Sequence, residues 1–158
     1  MKKKKDVYIR RNRCTGCLQC TLICPFTQMG VFQPHFSTIQ VADGGRDGFV
    51  PQICRNCEEA PCLDACPAGA IIRRKEDQHV ILLKEECVGC NMCIMVCPFN
   101  AIRMGAEAND LCNTCEGQEK CAAVCEHQAV GFDDLNRYSK SKRRKSMDRM
   151  RQEPGDGV

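Results

Sequence analysis

The chain has few of the side chains that build an ordinary hydrophobic core. It holds no tryptophan, two tyrosines and six phenylalanines in 158 residues, so we do not expect a large conventional core. That length suffices for one ordinary domain or two very small ones. No apolar run approaches the roughly 18 residues of a membrane span, and no apolar segment follows the start Met-Lys-Lys-Lys-Lys-Asp as it would in a secretory signal. We therefore expect no membrane span and a reducing, cytoplasmic location.

What the chain has in excess is cysteine. Sixteen cysteines make up about a tenth of the residues, a content that in a short secreted chain would indicate a disulfide scaffold. In a reducing compartment, clustered cysteines more often bind metal. Small modules can compensate for a small core by letting a metal site organise the fold. The composition therefore favours a metal protein.

The charged residues are distributed unevenly, although the net charge is only +3. Residues 1–13 hold seven Lys and Arg against one acid, and residues 137–151 hold eight against one. Residues 14–136 carry eight basic and sixteen acidic side chains, a balance of −8. Each basic end is either a solvated terminus or a docking segment for an acidic partner subunit. We do not expect nucleic acid as a partner, because neither end interleaves basic residues with aromatic residues that could stack on bases.

The sixteen cysteines divide into four groups of four, and none is left over. The first group is Cys14, Cys17, Cys20 and Cys24, followed by Pro25. The second is Cys54, Cys57, Cys62 and Cys66, followed by Pro67. The third is Cys87, Cys90, Cys93 and Cys97, followed by Pro98. The fourth is Cys112, Cys115, Cys121 and Cys125, followed by Glu126 in place of proline. This internal repeat governs the fold.

The spacing of the first and third groups, Cys-x2-Cys-x2-Cys-x3-Cys-Pro, is typical of [4Fe–4S] clusters, in which each iron needs one thiolate. The fourth cysteine could bind the same cube as the first three, since i and i+4 side chains are neighbours on a helix. The proline disfavours helical geometry at the cysteine before it. We therefore expect the chain to turn away there and the fourth cysteine to reach a neighbouring cluster, as in two-cluster ferredoxins. Zinc is the main alternative, but zinc ribbons separate two cysteine pairs by a long spacer.

Short apolar segments beside the cysteine groups predict small βαβ-like modules. We expect strands at 70–74, 80–83, 101–104 and 129–132, and an extended hairpin with strands 37–41 and 48–53. The residue before the second cysteine of each group is Gly16, Asn56, Gly89 or Thr114. Glycine and asparagine tolerate the positive φ that such a loop requires, so Thr114 departs from the pattern.

Other candidate residues carry weaker signals. The three histidines, His35, His79 and His127, are scattered, and we expect each to be a surface or packing residue. Met92, Met95 and Val96 lie between cluster ligands and are expected to form an apolar lid that excludes water. The sequence shows no nucleophile–base pair, no phosphate-binding glycine loop and no substrate pocket signature. We therefore expect a protein that is not catalytic on its own.

From Cys14 to Arg103, and more loosely to Phe132, the sequence resembles the four-cluster ferredoxin-like subunits of multisubunit oxidoreductases. That family includes iron–sulfur subunits of the dimethyl sulfoxide reductase type, of formate dehydrogenases, of hydrogenases and of carbon monoxide dehydrogenases. The resemblance implies that group two pairs with group three and group one with group four. A sequential pairing of group one with group two stays open, and Glu126 stands where the family usually has proline.

The resemblance implies four ligand sets, each taking three cysteines from one group and the fourth from its pair. Set 1 is Cys54, Cys57, Cys62 and Cys97. Set 2 is Cys87, Cys90, Cys93 and Cys66. Set 3 is Cys14, Cys17, Cys20 and Cys125. Set 4 is Cys112, Cys115, Cys121 and Cys24.

A narrower match covers residues 14–41, with the elements Cys24-Pro-Phe26, Gly30-Val-Phe-Gln-Pro34 and Ser37-Thr-Ile39. This stretch is similar to the small subunit that accompanies tungsten-containing aldehyde oxidoreductases and the related benzoyl-CoA reductases. It implies an electron-transfer subunit of anaerobic metabolism, which relays single electrons through four [4Fe–4S] clusters. The partners would be a large tungstopterin catalytic subunit, a flavin subunit or ferredoxin, and further copies of the chain itself.

Three other functions stay open. The chain could be the iron–sulfur subunit of a carbon monoxide dehydrogenase, hydrogenase or formate dehydrogenase complex. It could be a free ferredoxin without a dedicated catalytic partner. It could also be a non-redox zinc adaptor, which would be colourless and would contain no iron.

The expected fold is α+β, with two interlocked bacterial-ferredoxin-like βαβ modules around four clusters, a hairpin insertion and basic terminal extensions. Residues 1–13 form a basic N-terminal arm, and residues 137–158 form a basic C-terminal tail. Residues 54–103 form the central two-cluster module. Residues 14–53, with the first group and the hairpin, pair with residues 104–136, which carry the fourth group. The concentrated negative charge predicts low reduction potentials.

Overall fold

The computed structural model describes residues 5–105 and 107–152. The strands are β1 (Lys5–Ile9), β2 (Gln40–Asp43), β3 (Phe49–Gln52), β4 (Ile71–Arg73), β5 (Val80–Leu82) and β6 (Val130–Asp134). The helices are α1 (Gln19–Met29), α2 (Pro61–Asp64), α3 (Met92–Val96), α4 (Lys120–Ala123) and α5 (Leu135–Gln152). Most of these elements are short because the cysteine loops occupy much of the chain.

The strands pair into three two-stranded antiparallel sheets: β1 with β6, β2 with β3, and β4 with β5. The β1–β6 sheet joins the two ends of the chain, with Lys5 opposite Asp134 and Ile9 opposite Val130. The β4–β5 sheet lies between the second and third cysteine groups, with Ile71 opposite Leu82. The β1–β6 sheet packs against the half of the molecule that contains the first and fourth cysteine groups. The β4–β5 sheet packs against the half that contains the second and third groups, and these two halves are closed by the two sheets.

Two separate hydrophobic clusters form the core, and cysteines belong to both. Val7, Ile39, Ile53 and Val130 pack with Cys20, Cys24 and Cys121 of the first and fourth groups. Ala60, Ile71, Val80, Ile102 and Leu111 pack with Cys62 and Cys93 of the second and third groups. The core is therefore small and divided, as the scarcity of aromatic side chains predicts. No helix in the described part of the chain is both long and apolar enough to cross a membrane.

The strands expected around 70–74, 80–83 and 129–132 are present as β4, β5 and β6, and the hairpin is present as β2 and β3. The strand expected at 101–104 is wrong. Only Arg103 pairs there, through two backbone hydrogen bonds of 2.9 and 2.8 Å with Asp110. The Arg103 side chain also binds the Asp110 carboxylate. The apolar pair Ala101 and Ile102 is buried without a strand partner.

We expected the chain to leave the helix at the cysteine before each proline. This expectation is wrong in the first group and correct in the third. α1 continues through Pro25 to Met29, so Cys24 projects from a helix and not from a turn. Pro25 is fully buried, and α1 packs on α4, so this packing offsets the hydrogen bond that proline removes from the helix. At Cys97 the chain does leave the helix, with φ −73° and ψ 111°.

The basic ends contain regular structure. β1 lies in the N-terminal arm, and α5 covers most of the C-terminal tail. The Tyr8 ring of β1 stacks on the Tyr138 ring of α5, with centroids 4.2 Å apart. The Arg10 guanidinium lies over both rings, at 4.9 and 5.5 Å from their centroids. This contact holds the first turn of α5 against the β1–β6 sheet. Residues 1–4 and 153–158 of the two ends lie outside the described residues.

Candidate iron–sulfur cluster sites

The four cysteine loops share one backbone feature. The residue before the second cysteine has positive φ in every group: 72° at Gly16, 47° at Asn56, 67° at Gly89 and 59° at Thr114. Thr114 therefore departs from the other groups in residue type but not in conformation. In two groups this residue turns its amide toward the first cysteine, so that the Asn56 and Thr114 N–H groups each lie 3.4 Å from Sγ of Cys54 and Cys112.

Three cavities are each lined by four cysteine side chains. The first is lined by Cys54, Cys57, Cys62 and Cys97. The second is lined by Cys14, Cys17, Cys20 and Cys125. The third is lined by Cys112, Cys115, Cys121 and Cys24. Their volumes are nearly equal, about 330, 330 and 340 Å³ including the open mouth. The structure thus brings together the members of sets 1, 3 and 4.

The cysteines of set 2 range from buried to exposed, as those of set 3 do. Burial raises the pKa of Cys93, and the nearby Cys66 thiol contributes to the rise, so these two members of different groups are neighbours. Cys87 is half-buried and Cys90 is exposed. The turn after Cys125 forms without a proline, since Gln128 takes positive φ and the Ala129 N–H donates to the Cys125 sulfur at 3.2 Å.

Burial also raises the pKa of thiols in the other sets, to about 12 for Cys54, about 12 for Cys112 and about 11 for Cys20. Neighbouring thiols add to each rise, because one negative charge disfavours another nearby. These cysteines therefore hold protons near neutral pH when no metal is bound. Iron must displace those protons, and the positive charge that it brings compensates for the burial of thiolates.

The donor atoms and the cavities fit an iron–sulfur cluster. Each cavity presents four sulfur ligands, which select zinc or iron–sulfur centres. Within residues 5–105 and 107–152, no three His, Cys, Asp or Glu side chains converge closely enough to hold a single metal ion. The four thiols of each set instead line a common cavity, as the ligands of a polyatomic cluster would. A [4Fe–4S] cube, held by four thiolates, has this donor set.

Neighbouring sets approach each other at three places. The pKa of Cys112 in set 4, raised mainly by burial, is raised further by the Cys54 thiol of set 1. The pKa of Cys121 in set 4 is likewise raised by burial and then by several thiols, including Cys20 of set 3. Set 4 therefore lies between set 3 and set 1. Sets 1 and 2 are neighbours through the hydrophobic cluster that contains both Cys62 and Cys93.

Several side chains that donate to the cluster sulfurs were missed by the sequence analysis. The buried amide of Asn109 donates to Sγ of Cys93 at 3.5 Å. The Thr38 hydroxyl lies 3.4 Å from Sγ of Cys24, and the Gln28 amide donates to the same sulfur at 3.6 Å. Gln28 lies one helical turn after Cys24 on α1, so the i, i+4 spacing could have indicated this contact. Thr38 and Asn109 reach the sulfurs from loops, which no sequence pattern marks. Hydrogen bonds to sulfur tune the reduction potential of a cluster.

Two predictions about individual residues were tested by their positions. The predicted apolar lid is wrong for Met95 and Met92, whose side chains are 81% and 48% exposed because α3 turns Cys93 inward and these two residues outward. Val96, the third predicted lid residue, is half-buried and packs against the hydrophobic cluster that contains Cys93. Each histidine was predicted to be a surface or packing residue. This prediction describes His35, which is exposed, but it describes only part of the role of His79. His79 is buried and hydrogen-bonded at both ring nitrogens, and His127 lines the cavity of set 3.

Comparison with known proteins agrees with this donor chemistry. Residues 46–135 match the model of the 4Fe–4S dicluster domain, and residues 11–30 match a 4Fe–4S binding domain. The chain belongs to the 4Fe–4S dicluster family. It therefore binds several [4Fe–4S] clusters, and its ferredoxin-like domains combine short helices with small sheets.

Two relatives match most of the length of this chain. It is 31% identical over 131 residues to the aliphatic sulfonate oxidoreductase, polyferredoxin-like subunit, of Pyrococcus furiosus, covering 82% of this chain and 75% of the relative. It is 31% identical, over an alignment of 168 residues that includes gaps, to the electron transport protein HydN of Escherichia coli. This alignment covers 85% of this chain and 93% of HydN. These relatives identify the dicluster protein as an electron-transfer iron–sulfur protein of oxidoreductase systems.

Among solved structures, the chain is similar to the active site complex BamBC of benzoyl coenzyme A reductase in complex with benzoyl-CoA. The identity is 20% and the TM-score is 0.47, and the match covers 82% of this chain and 78% of that chain.

Proposed function

We propose that sets 1 to 4 each hold one [4Fe–4S] cluster, so that the chain carries four clusters in two interlocked modules. The cavities that gather sets 1, 3 and 4 support this assignment, as does the closeness of Cys66 and Cys93 in set 2. In each module, each of the two sites takes three cysteines from one group and its fourth cysteine from the other group. This exchange fixes the two sites of a module at a short and constant separation.

The four sites form a series in the order set 3, set 4, set 1, set 2. The effects of the Cys20 thiol on the pKa of Cys121 and of the Cys54 thiol on the pKa of Cys112 support the first two steps of this order. The end sites contain the exposed cysteines Cys17 and Cys90, whereas each cysteine of the inner sets 1 and 4 is buried or half-buried. The series therefore begins and ends at the protein surface, where partners can exchange electrons with it.

The function that this arrangement supports best is a relay of single electrons between a catalytic oxidoreductase subunit and a second redox partner. The observation that carries the proposal is the series of four-thiol sites, which reaches the surface at both ends. When bound, each [4Fe–4S] cluster accepts and releases one electron. The protein holds the thiolates in fixed loops, directs backbone and side-chain N–H groups at the sulfurs, and keeps the thiols of the inner sites buried or half-buried.

The favoured catalytic partner is a tungstopterin subunit of the aldehyde oxidoreductase type. The elements from Cys24 to Ile39 that resemble small subunits of this type support it. Part of that stretch contributes directly to set 4, because Thr38 and Gln28 contact the Cys24 sulfur. A flavin subunit or ferredoxin would serve as the second partner. The exposed basic face of α5 fits a docking role on an acidic partner.

Anaerobic purification of the full chain tests the cluster proposal. We expect a brown protein with about sixteen irons and sixteen acid-labile sulfides per chain, and an electron paramagnetic resonance signal after strong reduction. A colourless protein that contains zinc would overturn the proposal. The partner is tested separately by isolating the native complex: a co-purifying large subunit that contains tungsten supports it, and a large subunit with molybdenum or nickel refutes the tungsten assignment.

A further inference from the structure

One position in the cysteine loops separates the inner sites from the end sites. The residue before the second cysteine is Gly16 in set 3 and Gly89 in set 2, but Asn56 in set 1 and Thr114 in set 4. All four residues have positive φ. Glycine adopts this conformation without strain, whereas a β-branched residue such as threonine rarely does. The loops of the inner sets therefore carry side chains where the backbone alone would favour glycine.

The Asn56 side chain connects the two hydrophobic clusters of the core. Its Nδ2 donates to Oδ2 of Asp6 at 3.1 Å, and Asp6 precedes Val7, which belongs to the cluster of the first and fourth groups. Its Oδ1 accepts from the backbone N–H of Val80 at 2.7 Å, and Val80 belongs to the cluster of the second and third groups. Asn56 is 6% exposed and Asp6 is 2% exposed. The contact is therefore buried between the two modules.

The Thr114 side chain makes the reciprocal contact from the loop of set 4. Its buried Oγ1 accepts from Nη2 of Arg74 at 3.4 Å and lies 3.2 Å from Nδ1 of the His79 ring. Arg74 and His79 both belong to the turn between β4 and β5, in the central module. The same ring lies 2.9 Å from the carbonyl oxygen of Lys5 in β1. Each inner loop is thus bound by its side chain to the other module.

The separation of the two modules depends on such contacts, because the ligand sets share no cysteine across the junction. Within a module, the exchange of fourth ligands holds the two sites together. A buried polar network whose members all have partners favours one arrangement, since any other arrangement leaves donors or acceptors unpaired. Asn56 has a buried partner for its side-chain donor and another for its acceptor. Its contacts can therefore hold the junction in one geometry.

We propose that Asn56 and Thr114 are positioning residues that fix the separation of sets 1 and 4, and with it the electron step between the modules. In that step, the cluster of one inner set is oxidised as the cluster of the other gains the same electron. The two side chains act on this step through the opposite module and not as cluster ligands. The proposal rests on the four-cluster relay and adds the groups that hold its middle step.

Glycine substitutions test the proposal in the full chain, purified anaerobically. Asn56→Gly, Thr114→Gly and the double variant keep a residue that tolerates positive φ, as Gly16 and Gly89 do in the other loops. We therefore expect all four clusters to remain, with about sixteen irons per chain. Each variant loses only the side chain that binds the opposite module.

The measurement is electron paramagnetic resonance of the fully reduced protein, which reports magnetic coupling between the electron spins of neighbouring clusters. In the wild type we expect coupling along the whole series of four clusters. In the double variant the coupling across the junction should be lost while the coupling within each module stays, so that the spectrum becomes that of two separate pairs. Asn100→Gly is the matched control, because Asn100 is exposed and has the same φ of 47° as Asn56. It should give the wild-type spectrum.

Asp6→Ala decides the question if the glycine variants lose a cluster, because it removes the Asn56 contact from β1 and changes no cysteine loop. It should weaken the coupling across the junction, whereas Asp64→Ala, at an exposed acid of α2, should not. Unchanged coupling in a double glycine variant with sixteen irons would overturn the proposal. Unchanged coupling in Asp6→Ala, or an equal loss in Asn100→Gly, would overturn it too. Absence of iron from the wild type would instead contradict the four-cluster function.

Discussion

Exchange of the fourth ligand between cysteine groups can be tested by pairs of substitutions. Cys97 follows the third group but lines a cavity with Cys54, Cys57 and Cys62 of the second group. If those four bind one cluster, Cys54→Ala and Cys97→Ala remove two ligands from the same site. Cys87→Ala and Cys97→Ala instead remove one ligand from each of two sites. The two double variants have the same number of substitutions and differ only in the pairing.

The expected counts follow from four sites with four irons each. Cys54→Ala/Cys97→Ala leaves three complete sites, or about twelve irons, and Cys87→Ala/Cys97→Ala leaves two, or about eight. Alanine is used because serine can still bind iron through its oxygen. The assay is iron and sulfide analysis of anaerobically purified protein, together with the number of reducible [4Fe–4S] centres from spin integration.

Ligation within each group predicts the reverse. Cys54 and Cys97 would then belong to two clusters, and Cys87 and Cys97 to one. Two complete sites in Cys54→Ala/Cys97→Ala and three in Cys87→Ala/Cys97→Ala would refute the exchange. Circular dichroism in the far ultraviolet controls for general unfolding, because both variants should keep the β1–β6 and β2–β3 sheets.

Three further predictions concern the core, the sulfur hydrogen bonds and the basic tail. Ile39→Ala, at a fully buried side chain, should destabilise the protein by about 2–5 kcal/mol and lower the temperature at which anaerobic heating bleaches the visible absorbance. Phe32→Ala, at a side chain that is 64% exposed, should not. Asn109→Leu removes the N–H donor to Cys93 and should lower the potential of one cluster, and four unchanged potentials in the redox titration would contradict this. Deletion of residues 137–158 removes eight Lys and Arg and should weaken binding to the catalytic partner most at low salt. Equal binding at every salt concentration would exclude a docking role.

The cysteine loops could be predicted from the sequence because their geometry is local. Spacing alone specifies that three thiols converge, and the positive φ before the second cysteine recurs even where Thr114 replaces glycine. The turn after Cys125 also forms without the proline that marks the other groups. Short-range backbone geometry is therefore sufficient to form each loop.

Features that depend on distant parts of the chain could not be predicted in this way. α1 passes through Pro25 because it packs on α4, and local rules that place a turn before proline do not include that contact. The sequence did not predict β1, because basic residues surround it. Val7 of this strand is nevertheless buried, and the strand pairs with β6 from the other end of the chain. Asn109 reaches Cys93 only through the loop after Arg103. In each case, tertiary packing determines the outcome.

Pairing of the first strand with the last has a consequence for biosynthesis. A ribosome completes β1 early, but β6 appears only after residue 130, so the half of the molecule closed by these strands stays open during most of translation. The strands β4 and β5 can pair as soon as residue 82 has left the exit tunnel, and Cys97, the last cysteine of sets 1 and 2, follows fifteen residues later. Maturation machinery that delivers iron and sulfide to the nascent chain would thus meet the central half first, and the half that contains β1 and β6 would follow.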